Sequence, residues 1–299
     1  MDRRTIPCFG LMLRDPDAFP GKVARMVLAL SLRDFDTPNI ELEGITPAAV
    51  AGKSLQQISR LPIFCGRNRP QLGELFEVTG GADSDCIQIS GDLRHVHWIG
   101  CGMKAGAIEI DGPVGRHAGS GMAGGSLTIR GDAGDWLGAE MSGGRIELFG
   151  NAGDLAGAGY RGAVRGMTGG ELLIRGDAGD ETGLLMRRGL IAVTGNVGVL
   201  AGCHLIAGSI VVGGKCGARI GAGMKRGTIV LTGQHPAPPM LPGFQESGLA
   251  SLQMMRVMGR RLAAWGLAEF QAAADAPFRM IRGDRIVGGL GEILIADHS

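Results

Sequence analysis

Leu127-Thr128-Ile129-Arg130-Gly131-Asp132-Ala133-Gly134 is one copy of a unit that returns eight times down the middle of the chain. The unit reads apolar, any, apolar, any, Gly, Asp or Asn, small, Gly, then runs on to a Met and a closing Gly, here Met141 and Gly143-Gly144. The Gly after each apolar pair falls at Gly91, Gly112, Gly131, Gly150, Gly176, Gly195, Gly214 and Gly233. Successive differences between those positions are 21, 19, 19, 26, 19, 19 and 19. A fixed period of about 20 residues predicts a solenoid, in which each repeat is one coil that buries its apolar side only against its neighbours.

Within a unit, a short strand such as Leu127-Thr128-Ile129 points its first and third side chains the same way. The same slot holds Ile108/Ile110, Ile146/Leu148, Leu172/Ile174, Ile191/Val193, Ile210/Val212 and Ile229/Leu231, so stacking in register makes an apolar column. Ala133, Ala152, Ala178 and Val197 offer a second inward position, and Met122, Met141, Met186 and Met224 a third. The expectation is an all-β chain: a right-handed parallel β-helix with small mixed α/β caps at its ends. An α-helical solenoid is excluded by 54 glycines in 299 residues, because each Gly inside a helix costs about 1 kcal/mol relative to Ala.

Residues 1–86 and 234–299 depart from the repeat and read as an N-terminal extension with its cap and a C-terminal cap, leaving 87–233 as the solenoid. Caps matter because an open β stack presents unpaired edges. In the first, Ala48-Ala49-Val50 and Leu55-Gln56-Gln57-Ile58 predict helical turns, and Leu61-Pro62-Ile63-Phe64 and Leu75-Phe76-Glu77-Val78 predict strands. In the last, Pro236, Pro238, Pro239 and Pro242 read as a linker. Ser247 reads as the N-cap of a helix over 249–266, with Leu249, Leu252, Met255, Leu262 and Trp265 on its apolar side. Gly283-Asp284 then turns between two short strands ending near Ile295.

The outward strand position changes character halfway along. It holds Gln88, Glu109, Thr128 and Glu147 in the first four coils, and Leu173, Ala192, Val211 and Val230 in the last four. An apolar stripe on the outside needs a cover. The C-terminal helix and a docking subunit are the two candidates for it.

Charge is nearly balanced, 30 Lys+Arg against 29 Asp+Glu, so nothing global points to nucleic acid or a membrane surface. No apolar run approaches the ~18 residues of a spanning helix. The first residues lack the order of a signal peptide, which predicts a cytoplasmic protein. Cys8, Cys65, Cys86, Cys101, Cys203 and Cys216 form no C-x-x-C pair and suit reduced, mostly buried thiols.

Few residues suggest chemistry of their own. His95-x-His97 fits alternate metal ligands on a strand, but no third ligand stands at metal-site spacing. Asp132, Asp135, Asp177 and Asp180 recur beside Gly, as in calcium-binding repeats, yet Asn151 and Asn196 replace them freely and the period is wrong. A turn-capping role explains Asp and Asn equally. Matches to G-x-G-x-x-G are inevitable at this glycine content, and none lies between a long strand and a long helix. No G-x-S-x-G elbow stands out. The basic residues carry more information: Arg161 and Arg165 beside Tyr160, then Arg187, Arg188, Lys225 and Arg226. Guanidinium groups bind carboxylates through two parallel hydrogen bonds.

The coil after Gly150 carries seven extra residues, within Gly157-Ala158-Gly159-Tyr160-Arg161-Gly162-Ala163-Val164-Arg165-Gly166-Met167-Thr168-Gly169-Gly170. With Ala51-Gly52-Lys53-Ser54, Leu75-Phe76-Glu77-Val78 and Gly221 to Ile229, this resembles the C subunits of formylmethanofuran dehydrogenase and of the bacterial formyltransferase/hydrolase complex. The coils are more distantly similar to the C-terminal β-helix domain of the glutamate synthase large subunit. The resemblance runs from Leu28 to Gly233, with a weaker echo from Gly283 to Ile295. Val164 stands where the family often has an aromatic residue. Residues 1–25 fall outside the resemblance, which leaves Met26 as an alternative start.

The resemblance implies a non-catalytic scaffold subunit of a complex interconverting formyl-tetrahydromethanopterin, a formyl-methanofuran-type carrier and formate. Its implied partners are an amidohydrolase-like subunit with a metal site, a formyltransferase subunit, and a subunit that holds, or has lost, a molybdenum or tungsten pterin. No cofactor is implied in this chain itself. The implied carrier has a polyglutamate tail, for which Tyr160, Arg161, Arg165, Arg187, Arg188, Lys225 and Arg226 offer a path, or else a contact with another subunit. Alternatives are a glutamate-synthase-like subunit of a glutamine-dependent enzyme and a stand-alone β-helix enzyme such as a polysaccharide lyase. Against the lyase stand the missing signal peptide and the lack of a clustered catalytic groove. A hexapeptide-repeat acyltransferase has coils of about 18 residues built from six-residue units. Ala/Arg-rich composition leans towards the formyltransferase/hydrolase version.

Overall fold

The computed structural model describes residues 27–33, 39–81 and 85–298. Residues 1–25, the alternative start at Met26 and Cys8 lie outside the described residues. The chain enters through β1 (Leu28–Leu32) and β2 (Ile40–Glu41), then α1 (Pro47–Val50), α2 (Leu55–Ser59), β3 (Phe64–Cys65), α3 (Leu72–Leu75) and β4 (Phe76–Thr79). Strand β5 (Cys86–Ser90) begins the repeat and is followed by the two-residue β6 (Val96–His97). The repeat continues through β7 (Ala107–Asp111), β8 (Ala123–Ile129), β9 (Gly143–Leu148), β10 (Glu171–Ile174), β11 (Leu190–Val193), β12 (Ser209–Val212) and β13 (Thr228–Leu231). The C-terminal part holds β14 (Gln245–Ala250), α4 (Gln253–Ala263), α5 (Glu269–Ala273), β15 (Phe278–Gly283) and β16 (Gly291–Ala296).

The chain is mostly β, and its main sheet has 13 strands in the order β14-β15-β16-β13-β12-β11-β10-β9-β8-β7-β5-β1-β4. Pairing is parallel from β1 through to β16 and antiparallel at both ends, where β4 joins β1 and β15 joins β16 and β14. Each marker glycine follows one of the eight repeat strands by one or two residues. The register puts Ile108, Leu127, Ile146, Leu172, Ile191, Ile210, Ile229 and Ile293 in one line, and all eight are fully buried. Burying one such side chain is worth about 1.5–3 kcal/mol, so this column is the main source of cohesion. The seven-residue insertion leaves the register intact, since Leu172 still faces Ile146.

A second ladder of parallel bridges links Leu93, Val114, Ala133, Ala152, Ala178, Val197 and Cys216. Met122, Met141, Met186 and Met224 are fully buried at the third inward position. Successive turns also lean on each other through Asp and Asn. Asp132 Oδ1 accepts the backbone N–H of Asn151, Asn151 Oδ1 that of Asp177, Asp177 that of Asn196, and Asn196 that of Lys215. A parallel row runs through Asp135, Asp154 and Asp180 to Val199. The side chain therefore caps the next turn of the stack instead of its own. Any oxygen acceptor serves, which is why Asp and Asn interchange.

Ser54 caps α2 in a reciprocal box with Gln57. Other local readings need correction. Ser247 lies in β14, where Leu249 is exposed, and the helix starts only at Gln253 with Leu252 at its N-cap. Pairing with β15 holds 245–250 extended, a tertiary gain that outweighs the local capping signal. Leu75 ends α3 instead of beginning a strand, and only Phe64 of the segment 61–64 is in one.

Candidate functional site

The apolar stripe is closed within the chain. Leu173, Ala192, Val211 and Val230 are 0–1% exposed and pack with Met255, Leu262, Leu267 and Phe270 of the C-terminal helical segment. No open docking face remains at those four residues. Helix α4 is amphipathic, and Met255, Gly259 and Leu262 form its buried side.

Arg175 seals the edge of this cover. Its guanidinium bonds Glu147 Oε1 at 2.5 and 3.1 Å and donates to the carbonyls of Trp265 and Gly266 at 3.1 Å each. Arg145 and Arg261 lie over the Trp265 ring. Beyond the seal, the polar half of the outer sheet face stays open. It forms a groove of about 1330 Å³ whose floor includes Glu109, Thr128 and Glu147 and whose wall is Met254, Val257, Met258 and Arg261 of α4. The sequence shows that stripe but not the groove, because the wall comes from a helix more than 100 residues later.

Arg165, Arg187, Arg188, Lys225 and Arg226 fall along one corner of the stack, and Arg161 lies four residues before Arg165 in the insertion. The N–H of Arg187 bonds Met167 O, that of Ile206 bonds Met186 O and that of Lys225 bonds Leu205 O, so Arg187 and Lys225 share one position two turns apart. Two turns span about 10 Å. Arg188 and Arg226 repeat this one residue along. The insertion joins the same region, where Gly166 N–H bonds Leu185 O and carries Arg165 beside that turn. Arg161, Arg165, Arg187, Arg188, Lys225 and Arg226 are all exposed. Two large apolar side chains stand out near them, Val164 at 77% and Leu290 at 79% exposure. Leu290 follows Lys225 in the column, its N–H bonding Lys225 O.

Tyr160 is not part of that basic edge. It turns into an aromatic corner built from equivalent positions of three successive turns. Trp98 and His117 stack with centroids 4.1 Å apart, His117 and Trp136 are 6.2 Å apart, and Tyr160 lies 4.7 Å from Trp136. Trp98, His117 and Trp136 each have φ near +60°, a left-handed corner shared by this column. The 19-residue spacing of Trp98, His117 and Trp136 was the available signal for this cluster.

Metal and nucleophile chemistry find little support in the geometry. His97 is buried with both ring nitrogens engaged: Nδ1 accepts from Arg116 N–H, and Nε2 faces Asn39 Oδ1. His95 is exposed. Among the described residues no three His, Cys, Asp or Glu side chains come together as a metal cluster. Burial raises the Cys101 thiol to about 11 and the Cys216 thiol to about 12, and it also raises Cys203. No helix among the described residues is long and apolar enough to cross a membrane. The surfaces the structure presents are a corner carrying exposed cationic side chains and a half-polar groove on the sheet.

No family model matches the chain. Over 108 residues the chain is 40% identical to the C subunit of the molybdenum-containing formylmethanofuran dehydrogenase 1 of Methanosarcina barkeri, covering 34% of this chain and 36% of that protein. Over 87 residues it is 37% identical to the C subunit of the formyltransferase/hydrolase complex Fhc of Methylorubrum extorquens, covering 29% and 32%. The matched segment thus spans about a third of the length of these curated relatives. Among solved structures, a chain of the formyltransferase/hydrolase complex FhcABCD of Methylorubrum extorquens, crystallised with methylofuran, superposes with a TM-score of 0.83. It is 35% identical, and the match covers 90% of this chain and all of that one.

Proposed function

The chain belongs to the family of C subunits of formylmethanofuran dehydrogenases and formyltransferase/hydrolase complexes, and we propose that it is the non-catalytic scaffold of such a C1-transfer complex. The observation that carries this reading is the likeness over 90% of the chain to one chain of the FhcABCD assembly. Two parallel ladders and a continuous buried column support it physically. They make a rigid rod whose length follows from repeat number, suited to holding other subunits at fixed separation. We read the stack as a right-handed β-helix over 87–233, with 1–86 and 234–299 as its capping regions.

The partners in this reading are an amidohydrolase-like subunit, a formyltransferase subunit and a pterin-type or pterin-lacking subunit, in the cytoplasm. The relative's complex was crystallised with methylofuran, and a methanofuran-type carrier is the small molecule proposed here. Arg161, Arg165, Arg187, Arg188, Lys225 and Arg226 would meet its anionic tail or a partner protein. Tyr160 would act by holding the insertion in place.

The test is purification of a tagged copy from its native cell, with mass spectrometry of what co-purifies. Amidohydrolase-like and formyltransferase subunits with formate-forming activity and no pterin metal would establish the hydrolase version, the one we favour. A molybdenum or tungsten pterin would make the complex a dehydrogenase. Glutamate synthase components would replace the reading, and a lone protein would sink it.

A further inference from the structure

We propose that the groove beside α4 seats a basic, amphipathic segment of another subunit, which lays apolar side chains against Met254 and Val257 and a Lys or Arg against Glu109. The inference rests on the reading of this chain as part of a complex.

Three features define the occupant. The first is length. The groove edge follows Ala107, Ser126, Arg145, Glu171, Leu190 and Ser209, which are successive rungs of the ladder. Five rung spacings make about 24 Å, the reach of roughly seven extended residues. An occupant of that size buries less than the ~1,000 Å² a specific interface needs, so it belongs to a partner that also touches this chain elsewhere.

The second is charge. Glu147 is answered by Arg175, and Glu171 by Arg145 and Arg261. Glu109 differs: its Oε2 is buried and has no hydrogen-bond partner among the described residues. Leaving a buried acceptor unmatched is costly, and more so for a carboxylate. The exposed Arg188 also lines the groove, but it stands beside Leu190, four rungs from Ala107. At the Glu109 end the unanswered group is a carboxylate, and the group that matches it is a cationic donor.

The third is the wall. Helix α4 buries Met255 and Leu262 towards the sheet, yet Met254 is 45% and Val257 66% exposed on its open side. Apolar side chains next to an unanswered charge are what a side chain with an alkyl stem and a cationic head covers best. Methionine adapts its shape to such an occupant.

The experiment places the photo-crosslinking residue p-benzoylphenylalanine at position 257 of the tagged full-length chain in its native cell. Light is applied to the assembled complex, and the joined peptides are identified. The expected product is a peptide of another subunit that contains Lys or Arg. In parallel, Glu109→Lys should cut recovery of that subunit in a salt wash on the order of thirtyfold. Glu109→Gln should cut it less, and the free Glu109→Gln chain should melt no lower than the unaltered one, because the carboxylate it loses is unmatched there. A complex that isolates with all its subunits while position 257 captures nothing, or captures only this chain or a second copy of it, overturns the groove assignment alone. Equal recovery with Glu109→Lys does the same. Failure of any subunit to co-purify with the unaltered chain removes the scaffold reading, and the groove assignment with it.

Discussion

His117 Nδ1 lies 2.9 Å from the hydroxyl of Tyr160, across 43 residues of sequence. The tyrosine gives its own proton to Ser120 Oγ, which donates to Trp136 O. That order makes His117 Nδ1 the donor and assigns its tautomer. The contact fastens the insertion onto the preceding turns, and the ring sits in a crowded, partly buried place that disfavours its charged form. Burial, then Arg116 and His97, push His117 down to about 4, with only Asp135 opposing.

A pH dependence of stability follows. The folded pKa lies below the unfolded value of about 6.5, so between the two the unfolded chain binds more protons. Stability is complete above pH ~6.5, falls as pH drops, and levels off below pH ~4. Because the ring is partly solvated, its share is about 1 kcal/mol, well below the full linkage figure. Urea midpoints of wild type and His117→Gln at pH 7.5 and 5 check this. The difference between the two proteins should shrink at the lower pH, and a constant difference would contradict it.

The thiols should be inert in the folded chain. Burial, with Glu43 adding to it, holds Cys101 near 11, and burial holds Cys216 near 12. Only the thiolate reacts. At pH 8, iodoacetamide should therefore label both at least about a hundredfold more slowly than in urea. Peptide-resolved mass spectrometry reads this. Fast labelling at Cys216 would mean that the last turns of the stack open readily.

The corner glycines give a two-residue test of stacking. Gly202 has φ +66°, and a Cβ there would come 2.6 Å from Ile229 Cδ1 on the next turn. Gly202→Ala combines left-handed strain with overpacking and should cost about 2–4 kcal/mol. Ile229→Val removes the clashing methyl. It should cost about 1 kcal/mol in the native background and little or nothing beside Gly202→Ala. Additive losses by thermal denaturation would show that the clash is relieved some other way.

The sequence announces the repeat because each turn imposes the same demands: two inward apolar side chains, a glycine where backbone crosses backbone, and an oxygen that caps the next turn. Those demands are local to a 19-residue unit, so Leu127 to Gly134 is enough to read them. The rest depends on chain segments far apart in sequence. Helix α4 covers Leu173 and Val211 through Met255 and Leu262, and the basic residues 187, 188, 225 and 226 align only because of the register. The packing of Tyr160 was not legible from its neighbours, because its hydroxyl meets Ser120 and His117, 40 and 43 residues earlier in the chain. Ser247 misled because strand pairing with β15 overrides a capping preference.

Arg161 and Arg165 sit exposed on the insertion, so their replacement should leave the fold alone. If the corner guides an anionic carrier tail, Arg161→Ala/Arg165→Ala should raise KM for the carrier about three- to tenfold, the scale of two exposed charge pairs. The value of kcat and the set of subunits in the complex should not change. Unchanged KM in the assembled complex would falsify the guiding role.

Arg175 should matter far more than its partly exposed position suggests. It joins Glu147 on the sheet to the carbonyls of Trp265 and Gly266 at the end of α4, so one side chain fixes the helical cover to the polar half of the stack. Arg175→Ala leaves Glu147 and two carbonyls without their donor, at a cost of about 2–3 kcal/mol. Lysine should not substitute, because a single ammonium cannot span carboxylate and carbonyls in the planar geometry of the guanidinium. The loss should be local before it is global: trypsin should cut after Arg256, Arg260 or Arg261 in Arg175→Ala at concentrations that spare the wild type. A double-mutant cycle with Glu147→Gln separates the two roles. A coupling as large as the whole effect would make the ion pair sufficient, whereas a remainder of about 1 kcal/mol belongs to the carbonyl contacts. Resistance to trypsin equal to wild type would mean that the apolar stripe alone, Leu173 to Val230, holds the helices down.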